Sequence, residues 1–193
     1  MPKQGQQPIR RAALVAATIE EIGAKGSLDV TVSAIAKRAG MSSALAHHYF
    51  GGKTDIFLAA MRHILREYAA EVRQALHAAD PATRLEAVIA ANFAPSSFEA
   101  ATVSAWLAFY GLAQRDAQAR RLLAVYHARL RSNLRFALRG RCTAPDRVAE
   151  VLGALIDGVY LRAALAGTGV SGSAEEVTRV AHALMTEGGA DAL

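Results

Sequence analysis

Apolar residues recur three and four positions apart along most of the chain, broken by turn residues at intervals of about 10 to 20 positions, and this pattern predicts an all-α protein. A first helix is expected from about Pro8 to Ala24, with Leu14, Ile19 and Ile22 on its apolar side, stopping in the Gly23/Gly26 region. A short second helix follows Thr31, a good N-cap, turns Ile35 and Ala39 inward and ends at Gly40. A third starts at Ser42 and reaches Phe50. The Gly51-Gly52 pair breaks the pattern, and a longer helix runs from Lys53 through Phe57, Met61, Ile64, Leu65 and Tyr68 to about His77. After Asp80-Pro81 the stretch from Ala82 to Asn92 reads as helical, and Ala94-Pro95-Ser96-Ser97 as a loop or kink. Further helices are expected at about Glu99 to Leu112, Asp116 to Arg139 and Ala144 to Ala166. Gly167 to Ser173 reads as a flexible loop before a last helix at about Ala174 to Glu187.

Thr31 to Phe50 therefore supplies two short helices separated by a glycine-containing turn, which is helix-turn-helix spacing. Ile35 and Ala36 anchor the first of them, Ala39 lets the pair cross closely, and Leu45 and Phe50 fasten the second to the core. Ser42, Ser43, Ala44, His47, His48 and Tyr49 remain outward, small or hydrogen-bonding groups that can approach a DNA groove. Tyr49 and Phe50 read equally well as packing residues.

Composition narrows the functional classes. At 193 residues and 52% hydrophobic the chain can bury a substantial core, and no apolar run approaches the roughly 18 to 20 residues of a membrane span. Met1 to Arg11 is polar and basic and leads into a helix holding Glu20 and Glu21, unlike a signal peptide, so a cytoplasmic location is expected. Cys142 is alone, which excludes an internal disulfide and a cysteine-based zinc site. His47, His48, His63, His77, His127 and His182 are scattered. With no nucleophile motif, phosphate-cradling glycine loop or HExxH pattern, we expect no enzyme, no metal and no cofactor. The net charge of +5 is uneven: residues 1–60 hold seven Lys/Arg against four acids, residues 61–140 eleven against six, and residues 141–193 four against seven. A basic excess in the first two thirds suits a polyanion partner.

Ala36-Lys-Arg-Ala-Gly-Met-Ser followed by His48-Tyr-Phe-Gly-Gly-Lys53 and Ile56-Phe57 resembles the DNA-binding domain of the TetR family of repressors, over about residues 10 to 57. The resemblance implies a helix-turn-helix DNA-binding domain at 1–52 and a larger helical ligand-binding and dimerisation domain at 53–193. It makes Ser42 to Tyr49 the recognition helix and Lys53 a phosphate contact. A tyrosine often precedes the His-Tyr-Phe triplet in that family, and this chain has His47 there. Arg11 and Lys53 are expected on phosphates, and Ser43, Ala44 and His48 on base edges. A homodimer on a palindromic operator, with half-sites about 34 Å apart or a multiple of that, is also implied. Leu122, Val125 and Leu130, with Val151, Leu155 and Val159, form stripes that suit either a four-helix dimer interface or internal core.

In the larger domain, Trp106, Phe109 and Tyr110 share one helix face, a stripe that is usually core. Asp157 and Tyr160 share another, within an apolar helix that has no packing reason to carry a carboxylate. An acid beside aromatic rings suits an organic cation, each cation–π contact contributing roughly 0.5 to 2 kcal/mol. The plainer reading pairs Asp157 with Arg162 or another basic group. Met1-Pro-Lys, Ile9-Arg-Arg11, Asn92-Phe93, Ala105-Trp-Leu-Ala-Phe109, Leu155-Ile-Asp-Gly158 and Leu161-Arg-Ala-Ala-Leu165 resemble one branch of the TetR family, the choline-responsive repressors of glycine betaine synthesis genes. That resemblance implies choline as effector, lowering operator affinity. The effector candidates are Asn92, Trp106, Phe109, Tyr110, Asp157 and Tyr160. A TetR-like repressor of broad specificity for lipophilic cations is the nearest alternative, and a DNA-binding protein with no ligand a further one.

Overall fold

In a computed structural model of the chain, residues 6–167 and 171–187 are described, and within them there are α-helices and short 3-10 turns but no strand. Met1-Pro-Lys and residues 168–170 of the expected Gly167–Ser173 loop lie outside them. The helices are α1 (Gln6–Lys25), α2 (Val32–Arg38), α3 (Ser43–Phe50), α4 (Lys53–Ala78), α5 (Arg84–Asn92), α6 (Ala100–Ala113), α7 (Ala117–Leu138), α8 (Pro145–Ala166) and α9 (Ser173–Glu187). The all-α expectation holds.

Two departures are local. Pro81 opens a 3-10 turn, Pro81–Thr83, before α5 rather than the α-helix itself, and Pro95–Phe98 forms a second 3-10 turn where an open loop or kink was expected. Proline supplies a helix-compatible φ but no N–H donor, so a tight turn satisfies it as well as a full helical one.

The helices fall into two compact units. One comprises residues up to 66 with 99–122, the other 67–98 with 123 onward. The first half of α4 belongs to one unit and its second half to the other.

In the first unit, caps define the short helices. Thr31 Oγ1 accepts from the Ala34 amide at 3.1 Å and Ser42 Oγ from the Leu45 amide at 3.2 Å, satisfying donors that the first helical turn leaves free. Between α2 and α3, Gly40 takes φ +67°, where a side chain would be strained, and the Met41 amide closes back on the Ala36 carbonyl at 2.8 Å. Leu14, Ile22, Ile35, Ile56, Leu58, Met61 and Phe109 are fully buried. Helices α1 and α6 pack so closely that a Cβ built on Gly23 would lie 2.6 Å from Ala101 Cβ and 2.7 Å from its Cα.

The second unit buries Leu85, Ile89, Leu130, Leu134, Leu138 and Leu152, and α9 closes over α5 and α8 through Val177 and Ala181. Glu86 on α5 receives Arg141 at 3.3 Å and His182 of α9 at 2.7 Å. Burial pushes its carboxyl up, but hydrogen bonds from its own amide, His182 and Arg141 outweigh that and leave it below the ordinary carboxylate range.

Candidate operator and effector sites

Helix α3 carries most of the expected DNA contacts. Ala46 and Phe50 are buried and Leu45 is half-buried, fixing one side of the helix to the unit. Ser42, Ala44, His47 and His48 are exposed, and Ser43 and Tyr49 are half-buried. At its C-terminal end Gly51 takes φ +76° and its amide donates to the His47 carbonyl at 2.7 Å, while His47 Nδ1 stands 2.8 Å from the Gly51 carbonyl. Lys53, two residues on, opens α4 exposed to solvent, where the free amides of the first turn already favour an anion. Among the described residues it makes no ion pair.

Arg11 is placed differently from a free phosphate ligand. Its guanidinium donates to the Tyr49 carbonyl and lies over the Phe50 ring, 4.2 Å from the centroid. It ties α1 to the last turn of α3. On the other side of α1, Arg38 at the end of α2 pairs with Glu21 at 2.6 Å and Glu20 at 3.3 Å.

The six effector candidates divide between the units. Trp106, Phe109 and Tyr110 lie on α6 in the first. Phe109 is fully buried, its ring 5.8 Å from Trp106 and 6.4 Å from Phe57, and Tyr110 stacks obliquely on Trp106 at 5.8 Å. Asn92, Asp157 and Tyr160 lie in the second. Both ends of the Asn92 amide are engaged: Nδ2 donates to the Val88 carbonyl at 2.7 Å, and Oδ1 accepts from the Tyr68 hydroxyl at 2.7 Å. The Tyr68 and Tyr126 rings meet edge to face at 5.6 Å, and the Tyr126 hydroxyl donates to Asp157 Oδ1 at 2.9 Å. The other oxygen, Oδ2, stands 3.3 Å from His127 Nε2. Tyr160 donates to the Ser97 carbonyl at 3.0 Å, with Phe98 against its ring at 4.8 Å.

One connected group thus runs Asn92–Tyr68–Tyr126–Asp157–His127. The basic partner of Asp157 is His127, on α7, and not Arg162, which is exposed. Burial pushes the Asp157 carboxyl above its usual range, against the Tyr126 hydrogen bond and the His127 charge that pull it down. Burial and the Asp157 charge likewise push the Tyr68 hydroxyl up, opposed by its bond to Asn92. The carboxylate is not sealed in: its side chain keeps 26% exposure and borders a cavity of about 420 Å³ between α7 and α8, alongside His127, Glu150 and Gly153. Arg131 lines the same cavity, and the Tyr126 and Tyr68 rings lie behind the acid, one bonded to it through its hydroxyl and the other edge to face on the first. A part-exposed acid backed by tyrosine rings can attract a cation and hold it without donating a hydrogen bond to it. Tyr68, Tyr126 and His127 were not among the sequence candidates. Their only signal was that a carboxylate inside an apolar helix needs partners, and the pattern does not say which helices supply them.

Residues 14–60 match the family model for bacterial regulatory proteins of the tetR family. A TetR transcription regulator from Haloarcula marismortui has the same fold, with a TM-score of 0.81 at 18% identity over 93% of this chain and 98% of that one. The chain belongs to the TetR family. Residues 81–187 match the model of the BetI-type transcriptional repressor C-terminal domain. The HTH-type transcriptional regulator BetI of Brucella anthropi is 51% identical over 168 residues, 86% of this chain and 87% of that protein. Within the family this chain is a BetI-type transcriptional repressor, as the family and branch resemblances of its sequence implied. A protein from Saccharomonospora viridis solved in complex with choline shares the fold, with a TM-score of 0.73 at 23% identity over 88% of this chain and 93% of that one.

Proposed function

We propose that this chain is a homodimeric, cytoplasmic repressor of the genes that convert choline to glycine betaine, and that choline is the effector that lowers its affinity for a palindromic operator. The observation that carries the effector reading is the Asp157 carboxylate beside the Tyr126–Tyr68 ring pair. Its chemistry matches a trimethylammonium group, which offers charge and methyl surface but no N–H to donate. Relatives named BetI, about half identical over most of the chain, and a similarly folded protein solved with choline support it.

Ser42, Ser43, Ala44, His47, His48, Tyr49 and Lys53 face the operator in this reading. Asn92, Asp157 and Tyr160, joined by Tyr68 and Tyr126, serve the effector within the second unit, while Trp106, Phe109 and Tyr110 pack on one another in the first. Tyr68 lies on the helix that Lys53 opens, so a cation drawn to the tyrosine pair acts on α4 directly. Choline shifts the dimer between operator-competent and incompetent states only as far as its affinities for the two differ.

Calorimetric titration with choline tests this, on wild type and on Asp157→Asn, with operator binding measured at saturating choline. Micromolar to low-millimolar binding that the substitution weakens at least tenfold, with reduced operator affinity, is expected. Heat from a bulky lipophilic cation but none from choline would overturn choline in favour of a multidrug-type effector. Unchanged operator affinity at saturating choline would overturn the allosteric mechanism.

A further inference from the structure

We infer that His47 meets operator DNA as the imidazolium, so that each protomer takes up one proton when it binds. This rests on α3 being the operator-facing helix. His47 Nδ1 lies 2.8 Å from the Gly51 carbonyl oxygen, a group that only accepts, so Nδ1 carries the hydrogen. The Gly51 amide returns a bond to the His47 carbonyl at 2.7 Å, and together the two bonds close the last turn of α3 around the positive-φ corner that leads to Lys53. With the tautomer set by that bond, neutral His47 presents a bare Nε2 lone pair. A donor at Nε2 exists only on the charged ring.

Position decides what that nitrogen meets. A recognition helix offers its N-terminal residues to base edges, here Ser43 and Ala44, whereas His47 sits at the other end, next to exposed Lys53 and the free amides of α4. That end suits a phosphate, which has no proton to give. A neutral His47 would set lone pair against anion, and the imidazolium would donate to it at full charge-assisted strength. The other charged or titratable groups at the corner are His48, Lys53, Arg11, held on the Tyr49 carbonyl, and Asp55, whose carboxylate lies against Gly51; helix α2, which packs on α3, carries Lys37 and Arg38, the latter paired with Glu20 and Glu21 of α1.

The sign follows from linkage. A neighbouring phosphate makes the ring bind its proton more tightly on DNA than off it, so affinity is full at low pH and falls as pH rises through the range where only the bound form stays charged.

The test uses the full chain and a duplex selected by it from a random library, with affinity read by fluorescence anisotropy from pH 5.5 to 8.5 at constant ionic strength. Wild type is expected to lose affinity with rising pH, with a limiting slope of about one log unit per pH unit per protomer. His47→Gln is expected to flatten the slope and His48→Gln to retain it. In the free protein, nitrogen-15 shifts of the neutral His47 ring are expected to show hydrogen on Nδ1 and none on Nε2, a readout that needs no variant to fold. A flat wild-type profile, a slope that survives His47→Gln, or the Nε2–H tautomer would overturn the inference while leaving operator binding intact. Failure to select any duplex would overturn the operator reading itself.

Discussion

Asp157 and Arg11 show how far a side chain's meaning depends on what it touches. Asp157 is a strained choice for stability: burial raises its carboxyl, so its folded form holds a proton more tightly than its unfolded form. Stability from such a group is present below the unfolded value of about 3.9 and is lost as pH rises through the higher folded value. Asn at this position keeps an acceptor for the Tyr126 hydroxyl and removes the buried charge. Asp157→Asn should therefore match or exceed wild type in melting temperature at pH 7.5, with the advantage disappearing toward pH 4, while losing choline binding. A melting temperature several degrees below wild type at pH 7.5 would mean that the His127 pair stabilises the unit by more than burial costs it. Arg11 makes a second discriminating case. A phosphate ligand, on removal, lowers the salt dependence of DNA binding by about one unit of slope. A brace between α1 and the end of α3 weakens binding without changing the slope. From its bond to the Tyr49 carbonyl and its place over Phe50, Arg11→Ala is expected to reduce operator affinity at every salt concentration with the slope retained.

At the level of elements, local signals were legible and long-range ones were not. Thr31 and Ser42 cap their helices as their residue types require, and Gly40 and Gly51 mark turns only a glycine adopts easily, because these are interactions between neighbours in sequence. Leu130, placed in a stripe that suited either an interface or internal core, is 1% exposed inside its unit, and periodicity could not choose because it identifies an apolar face without naming what covers it. Tyr126 finds Asp157 across 31 positions, and no spacing rule foretells that. The same holds for α1 against α6. Helix α1 ends at Lys25, before Gly26 and within the region where a stop was expected, but Gly23 itself is a point of contact with Ala101, which the pattern does not reveal. Alanine at 23 would gain about 1 kcal/mol of helix propensity. It would also drive a methyl into the Ala101 backbone, a rigid neighbour, and overpacking of that kind costs about 1 to 3 kcal/mol. The cost should win. Gly23→Ala is expected to lower the melting temperature and to change the fluorescence of Trp106, which α6 carries. An unchanged or raised melting temperature would show that α6 can yield at no cost.

For the whole molecule the question is what completes it. TetR-family regulators act as dimers, and a two-turn recognition helix reads too few base pairs to be selective alone. Along α8, Val151, Ala154, Gly158, Leu161 and Leu165 repeat at intervals of three and four, and all five are exposed, Leu165 by 69%. Such a repeat is the seam along which helices associate. Val180 on neighbouring α9 is exposed as well. Of the stripe expected from the sequence, Val151 belongs to this seam and Leu155 and Val159 turn half inward, so the exposed face is shifted round the helix from the one first drawn. Replacing Leu161 and Leu165 by Glu places two like charges per protomer on a face that a second copy must desolvate. Because neither side chain contributes to its own unit's buried core, helicity should be unchanged while sedimentation shifts from dimer to monomer at micromolar concentration. Operator affinity should then fall by about 10²-fold or more, the factor lost when two half-site contacts are no longer linked. A variant that stays dimeric would move the interface off α8, and one that is monomeric yet binds operator at wild-type affinity would remove the two-fold argument for a palindromic site.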